Sequence, residues 1–271
     1  MIDGDWPTRI DWSRPWLLPI AARGERWRQA ALDGYGPYLE TLNADALANP
    51  HLTGRGKPLS FIAQDDLPTG ASYEGHIAAT GCVPTRHNLH DFFNASIWFQ
   101  FPRVKAALNA RQAEEIDLRG IGPTRGAARD ALTLFDENAI LLACADPSLG
   151  AALRAFEWRR LFVDERAAWE SRCEVRIFGH ALLEKLLTPY KACTGHVWIV
   201  DVELDYFDAP EIERRAILDH SISESLTNNL ISSRCFTPLP VLGVPGWWAE
   251  NEGPSFYDDP QVFRSGRRSR T

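Results

Sequence analysis

Histidine, aspartate, asparagine and glutamate fall at helical spacing in two stretches of this chain. In HNLHDFFNASIW, residues 87–98, His87, His90, Asp91 and Asn94 stand at i, i+3, i+4 and i+7, which is one stripe of a helix. Leu89, Phe92, Phe93 and Ile97 make the opposite, apolar stripe. A solvated helix face normally carries Lys, Glu, Arg or Gln, so a run of His, His, Asp and Asn points to a face that meets something specific. In FGHALLEKLLTPYK, residues 178–191, His180 and Glu184 form an i, i+4 pair, and Lys191 places a cation just past Pro189. In TGHVWIVD, residues 194–201, His196 stands at the mouth of a β segment. The FDEN stretch puts Asp136 and Glu137 at an expected hairpin tip.

These residue types suit a divalent ion. Imidazole and carboxylate ligands fit Zn, Mn or Fe, and a bound ion lowers the pKa of its water. The expected ligands are His87, His90, His180 and His196, with Asp91, Glu184 and Lys191 as acid, base or orienting groups. The leading expectation is a metal-dependent hydrolase of a small or medium substrate. A second is a non-catalytic interaction protein in which the same side chains form a buried hydrogen-bond network and Trp247-Trp248 offers a partner surface. A third is metal-free acid–base catalysis by Asp91 and His90.

Sharper motifs are missing. H-E-x-x-H and G-x-S-x-G do not occur, and Gly54-Arg55-Gly56-Lys57 is too short for a phosphate-binding loop. His87-Asn88 lacks the ββα frame and the basic surface of an HNH nuclease. Net charge is −7, so no basic footprint for nucleic acid is present in the body of the chain. Only Lys57, Lys105, Lys185 and Lys191 are lysines among 29 basic residues. Arg264, Arg267, Arg268 and Arg270 read as a solvated tail, with residues 265–271 expected to be disordered. The five cysteines show no C-x-x-C spacing, which argues for reduced thiols and against a thiolate zinc site. The N-terminus lacks the apolar core of a secretory signal, and no run approaches the roughly 20 apolar residues of a membrane helix. A cytoplasmic location is the expectation, with partners unspecified.

The elements that must position these groups follow from periodicity. Helices are expected over 24–48, with a break near Gly34–Pro37, and over 88–99, 102–116, 179–187 and 211–230. Strands are expected over 59–64, 175–178 and 197–202, and a hairpin over 131–145 turning at Asp136–Asn138. Residues 73–80 read as a strand or an irregular lead-in. Trp- and Pro-rich stretches at 1–20 and 236–260 are expected to wrap the body. The fold class is α+β: one domain of helices on a small, mainly antiparallel sheet, with parallel βαβ order as the alternative.

The blocks VPTRHNLHDFFNASIWFQFPRVKAALNARQ, LTLFDEN, FGHALLEKLLTPYKACTGHVW and LPVLGVPGWW…FYDDPQVFR resemble the proteobacterial family of unknown function DUF3025, from about residue 58 to about 264. The resemblance implies one intact domain and a bacterial origin. It implies no activity.

Overall fold

The computed structural model describes residues 3–120, 126–229 and 231–266. The chain opens with 3-10 turns over Asp3–Arg9 and Pro15–Ile20, as its prolines require. Helices α1 (Ala21–Asp33) and α2 (Tyr35–Ala48) follow, parted at Gly34, whose φ of 130° few other residues would adopt. Strands β1 (Ser60–Ala63) and β2 (Cys82–Thr85) pair in parallel around α3 (Tyr73–Thr80). Helices α4 (Leu89–Gln100), α5 (Pro102–Arg119) and α6 (Ala127–Asn138) lead into β3 (Ala139–Cys144). Then come α7 (Pro147–Arg154), β4 (Cys173–Ile177), α8 (His180–Lys185), β5 (Thr194–Asp201), α9 (Glu211–Asn228) and β6 (Thr237–Pro240).

The main sheet has the order β4-β3-β5-β6. The α+β class holds, but the sheet is mixed: β3 pairs antiparallel with β4 and parallel with β5, and β6 returns antiparallel to β5. Every residue of β3 is buried, which fits a central strand covered on both faces. On β5, the neighbours Trp198 and Ile199 point to opposite faces, where they meet Phe135 of α6 and Gly150 of α7. On β6, Val241 just past the strand donates to the Cys193 carbonyl, so odd positions face β5. Pro238 and Pro240 therefore sit where a backbone N–H would point away from the sheet.

The expected hairpin at 131–145 is instead a helix running straight into a strand. Ala131, Leu132 and Phe135 are buried at i, i+1 and i+4, the helical period, and Asp136 is buried beside them. A polar triplet with the composition of a turn, Asp136-Glu137-Asn138, is the last turn of α6. Residues 73–80 are also helical: the Ser72 hydroxyl accepts from the Gly75 N–H, and Gly81 ends the helix at φ 82°.

The expected α4 amphipathicity is absent. Eleven of its twelve residues are buried, because the polar stripe is covered too: Arg86 closes over Asp91, and Tyr73 and Lys105 bond Asn94, while the N-terminal segment packs on the apolar stripe. Phe92 packs against Trp6, Trp12, Trp27 and Tyr38. Among the described residues, no helix is long and apolar enough to cross a membrane. Arg267, Arg268 and Arg270, and most of the tail expected to be disordered over 265–271, lie outside the described residues.

Candidate functional site

Two helix starts meet at one end of the main sheet. Phe178 and Gly179 both donate to the Ala139 carbonyl, at 3.0 and 2.9 Å, which clamps the start of α8 against the junction of α6 and β3. Position 179 must be glycine on steric grounds. A Cβ there would lie 2.4 Å from the Glu137 carbonyl oxygen and 2.6 Å from the Asn138 backbone. The clamp sets His180 of α8 beside Asp136 of α6. Helix α4 brings His90 to the same place; its start is fixed by Asn88, whose side chain accepts from the Asp91 N–H at 2.9 Å.

The convergence predicted from the sequence is real for three residues. His90 Nε2 lies 3.1 Å from His180 Nε2, and His90 Nδ1 lies 3.3 Å from Glu184 Oε2. The two imidazoles meet edge to face, their centroids 4.5 Å apart. His90 and Glu184 are each about a third exposed, while His180 is buried. The His180 Nδ1 atom has no hydrogen-bond partner of normal geometry and faces Asp136 Oδ1 at 3.8 Å. The order along this line is Glu184, His90, His180, Asp136.

The environments push the two imidazoles apart. The Glu184 hydrogen bond raises the pKa of His90 against the opposing effect of burial. Burial lowers that of His180 to about 4. The His90 contact holds the Glu184 carboxyl below its ordinary value. Burial acts to raise Asp136, yet Lys105 and His180 outweigh it and leave Asp136 lowered.

Behind Asp136 lies a buried polar chain that the sequence reading missed. Lys105 of α5 donates to Asp136 Oδ1 at 2.6 Å and to Asn94 Oδ1 at 2.9 Å. Asn94 in turn donates to the Tyr73 hydroxyl at 2.9 Å. Asn109 donates to Glu74 Oε2 at 2.7 Å, and burial together with the Asp136 charge pushes the Glu74 carboxyl up to about 7. One signal was available. Lys105, Asn109, Gln112 and Ile116 form a single helical stripe, and Lys105 is one of only four lysines in an Arg-rich chain.

These groups line a cavity of about 500 Å3 whose wall includes Tyr73, Glu74, His90, Asn94, Arg129 and His180. Asp91 also reaches it, but its carboxylate is taken by Arg86, which donates from Nε at 3.0 Å, from Nη2 at 2.9 Å and from its backbone N–H at 2.6 Å.

Three expected site residues lie elsewhere. His87 precedes the Asn88 cap, so it is off the helix stripe; it packs among Trp6, Tyr35 and Tyr38, with Nε2 3.1 Å from the Ala31 carbonyl oxygen. His196 is half-buried on β5 opposite Ala139 and Pro238, its pKa lowered by burial and by Lys185. Lys191 pairs with Asp259 at 3.2 Å and sits over the Phe256 ring, fastening the C-terminal segment. Trp247 packs on Trp16, and Arg14 lies over Trp248, so this aromatic pair holds the N-terminal strap. Among the described residues, no group of three or more His, Cys, Asp or Glu side chains is arranged to hold a metal ion.

A family model described as a protein of unknown function, DUF3025, matches residues 59–267. No curated protein and no solved structure matches the chain.

Proposed function

The chain belongs to the DUF3025 family, and we propose that its cavity is the active site of an enzyme working by acid–base catalysis on a small polar substrate, with hydrolysis the first reaction class to assay. The observation that carries this reading is the His90–His180 contact at 3.1 Å with Glu184 behind His90. An ionised Glu184 accepts the Nδ1–H of His90, which leaves Nε2 basic when His90 is neutral. The Nε2–H of His180 then points at that lone pair. When His90 gains a proton, its Nε2–H becomes the donor, and His180 must present a lone pair at Nε2 and carry its hydrogen at Nδ1, towards Asp136. Two imidazoles whose pKa values are driven in opposite directions supply an acid and a base within one site. Of the sequence expectations, this keeps His90 as the proton-transferring group and replaces Asp91, tied to Arg86, by Glu184.

A panel of ester, amide, phosphoester and glycoside substrates tests the reaction class. His90→Gln is expected to lower turnover by roughly 100-fold or more, and Glu184→Gln by less. An imidazole titration followed by NMR tests the site without a substrate. His90 titrating at or below the ordinary value of about 6.5 would remove the ground for the proposal.

The same 3.1 Å separation favours one alternative. Two imidazoles on one Zn, each about 2.0–2.1 Å from the ion, hold their nitrogens roughly 3.3 Å apart. Each Nδ1 here is backed by a carboxylate, Glu184 at 3.3 Å and Asp136 at 3.8 Å, the arrangement that orients ligand histidines. A metal-dependent hydrolase using Zn, Mn or Fe on His90 and His180 is therefore the second reading, with its remaining ligands coming from water or substrate. Elemental analysis separates the two. Stoichiometric metal in the purified protein, lost in both His90→Gln and His180→Gln, would favour the metal and displace the metal-free mechanism.

A further inference from the structure

The cavity has two chemically different ends. At one end are His90, His180 and the Asp136–Lys105 pair. The other end is built from Arg129 and Thr133 of α6 and Gln112 of α5. Among the described residues, none of these three side chains has a hydrogen-bond or ion-pair partner, although Gln112 is only 8% exposed.

The other cations of the cavity are taken. Arg86 is held by Asp91, Lys105 by Asp136, and His90 faces Glu184. The carboxyl that feels Arg129 is Glu74, which already accepts from Asn109 and is also within electrostatic reach of Lys105 and Asp136. The unpartnered carboxylate on this wall, Glu137, lies two turns away on α6, at the imidazole end. A half-buried guanidinium flanked by a hydroxyl and an amide is a set of hydrogen-bond donors that no acceptor among the described residues receives.

We infer that Arg129, with Thr133 and Gln112, is the docking point for an anionic group of the substrate, a carboxylate or a phosphate. The inference rests on the reading of the cavity as an active site and adds the substrate class to it. Arg129, Thr133 and Asp136 lie on one stripe of α6, and seven residues of helix span about 10 Å. The substrate is therefore elongated: its anionic end sits on Arg129 and its reacting bond lies about that far away, beside His90 and His180. Glu74 also lines the cavity, within electrostatic reach of both Arg129 and Asp136, and so faces the bound molecule.

The test is a binding titration of the full chain with inorganic phosphate and, separately, with propionate, at ionic strength held constant with chloride. Wild type, Arg129→Gln and His90→Gln are compared, and circular dichroism checks that each variant is folded. Saturable binding to wild type is expected, weakened roughly tenfold or more by Arg129→Gln and retained by His90→Gln. Whichever anion binds more tightly names the source of the charge. Equal affinity in wild type and Arg129→Gln, or no saturable binding of either anion, overturns the anchor and leaves the acid–base reading standing. Binding lost in His90→Gln but kept in Arg129→Gln places the anion at the imidazole end and also overturns it.

Discussion

At the scale of single residues, the buried Lys105–Asp136 pair and the buried His180 set what the site tolerates. Removing one partner of a buried ion pair strands the other charge, so Lys105→Met is expected to cost roughly 3–5 kcal/mol. Replacing both partners, as Lys105→Met with Asp136→Leu, is expected to restore much of that loss. Urea unfolding of the three proteins measures it, and a double variant no more stable than the single would contradict the pairing. His180 gives a pH signature. Its pKa drops from 6.5 to about 4 on folding, so between those values the unfolded chain binds a proton that the folded chain excludes. Stability should fall as pH drops from 6.5 to 4, by up to about 3 kcal/mol. His90 opposes this: its raised pKa gives stability present below 6.5 and lost as pH rises through its folded value. Unfolding curves for wild type and His180→Asn across pH 4–7 check the balance; a wild-type curve parallel to the variant's would refute it. Side-chain type and spacing made His90, His180 and Glu184 legible as one cluster. They did not make Tyr73 or Glu74 legible, because α3 has a register against α4 that no local pattern records, and the stripe that carries Lys105 on α5 did not show which helix it faces.

At the scale of elements, the site depends on the clamp between α6, β3 and α8. Gly179→Ala pushes a methyl into the Glu137 and Asn138 backbone, which cannot move as a flexible side chain could. The variant is expected to lose about 2 kcal/mol or more, in the range of overpacking, and to part His180 from His90. Chemical denaturation and the His90 NMR titration test both effects, and a variant with wild-type stability would show that the junction is looser than described. Periodicity identified α4, α5, α8, α9, β4 and β5 to within a few residues. It failed at α6 because Asp136-Glu137-Asn138 has the composition of a turn, and Asp136 is tolerable in the last helical turn only because Lys105 waits across the interface. Helix α3 carried legible caps in Ser72 and Gly81, yet its short length hid them.

At the scale of the molecule, the family match begins at residue 59, but the core does not. Trp6, Ile10, Trp16, Leu17 and Ile20 are buried, and Trp27 and Tyr38 enclose Phe92 from the side opposite the cavity. Burial of an apolar side chain contributes roughly 1.5–3 kcal/mol, so the first 20 residues supply about as much as the whole stability of a typical domain. A chain starting at residue 21 is expected to lack cooperative thermal unfolding by circular dichroism, and a sharp transition in it would show that the strap is dispensable. Aromatic composition foretold that this segment lies on the body. That it closes the back of α4 was not legible, since contacts between residue 6 and residue 92 leave no periodic trace.

The prolines of β6 bear on how copies of the chain meet one another. A sheet grows sideways only when its outermost strand offers amide hydrogens to a newcomer, and Pro238 and Pro240 remove those donors from the outward side. That border offers no outward amide to a fifth strand from a neighbouring molecule, so this sheet can extend sideways only at its β4 side.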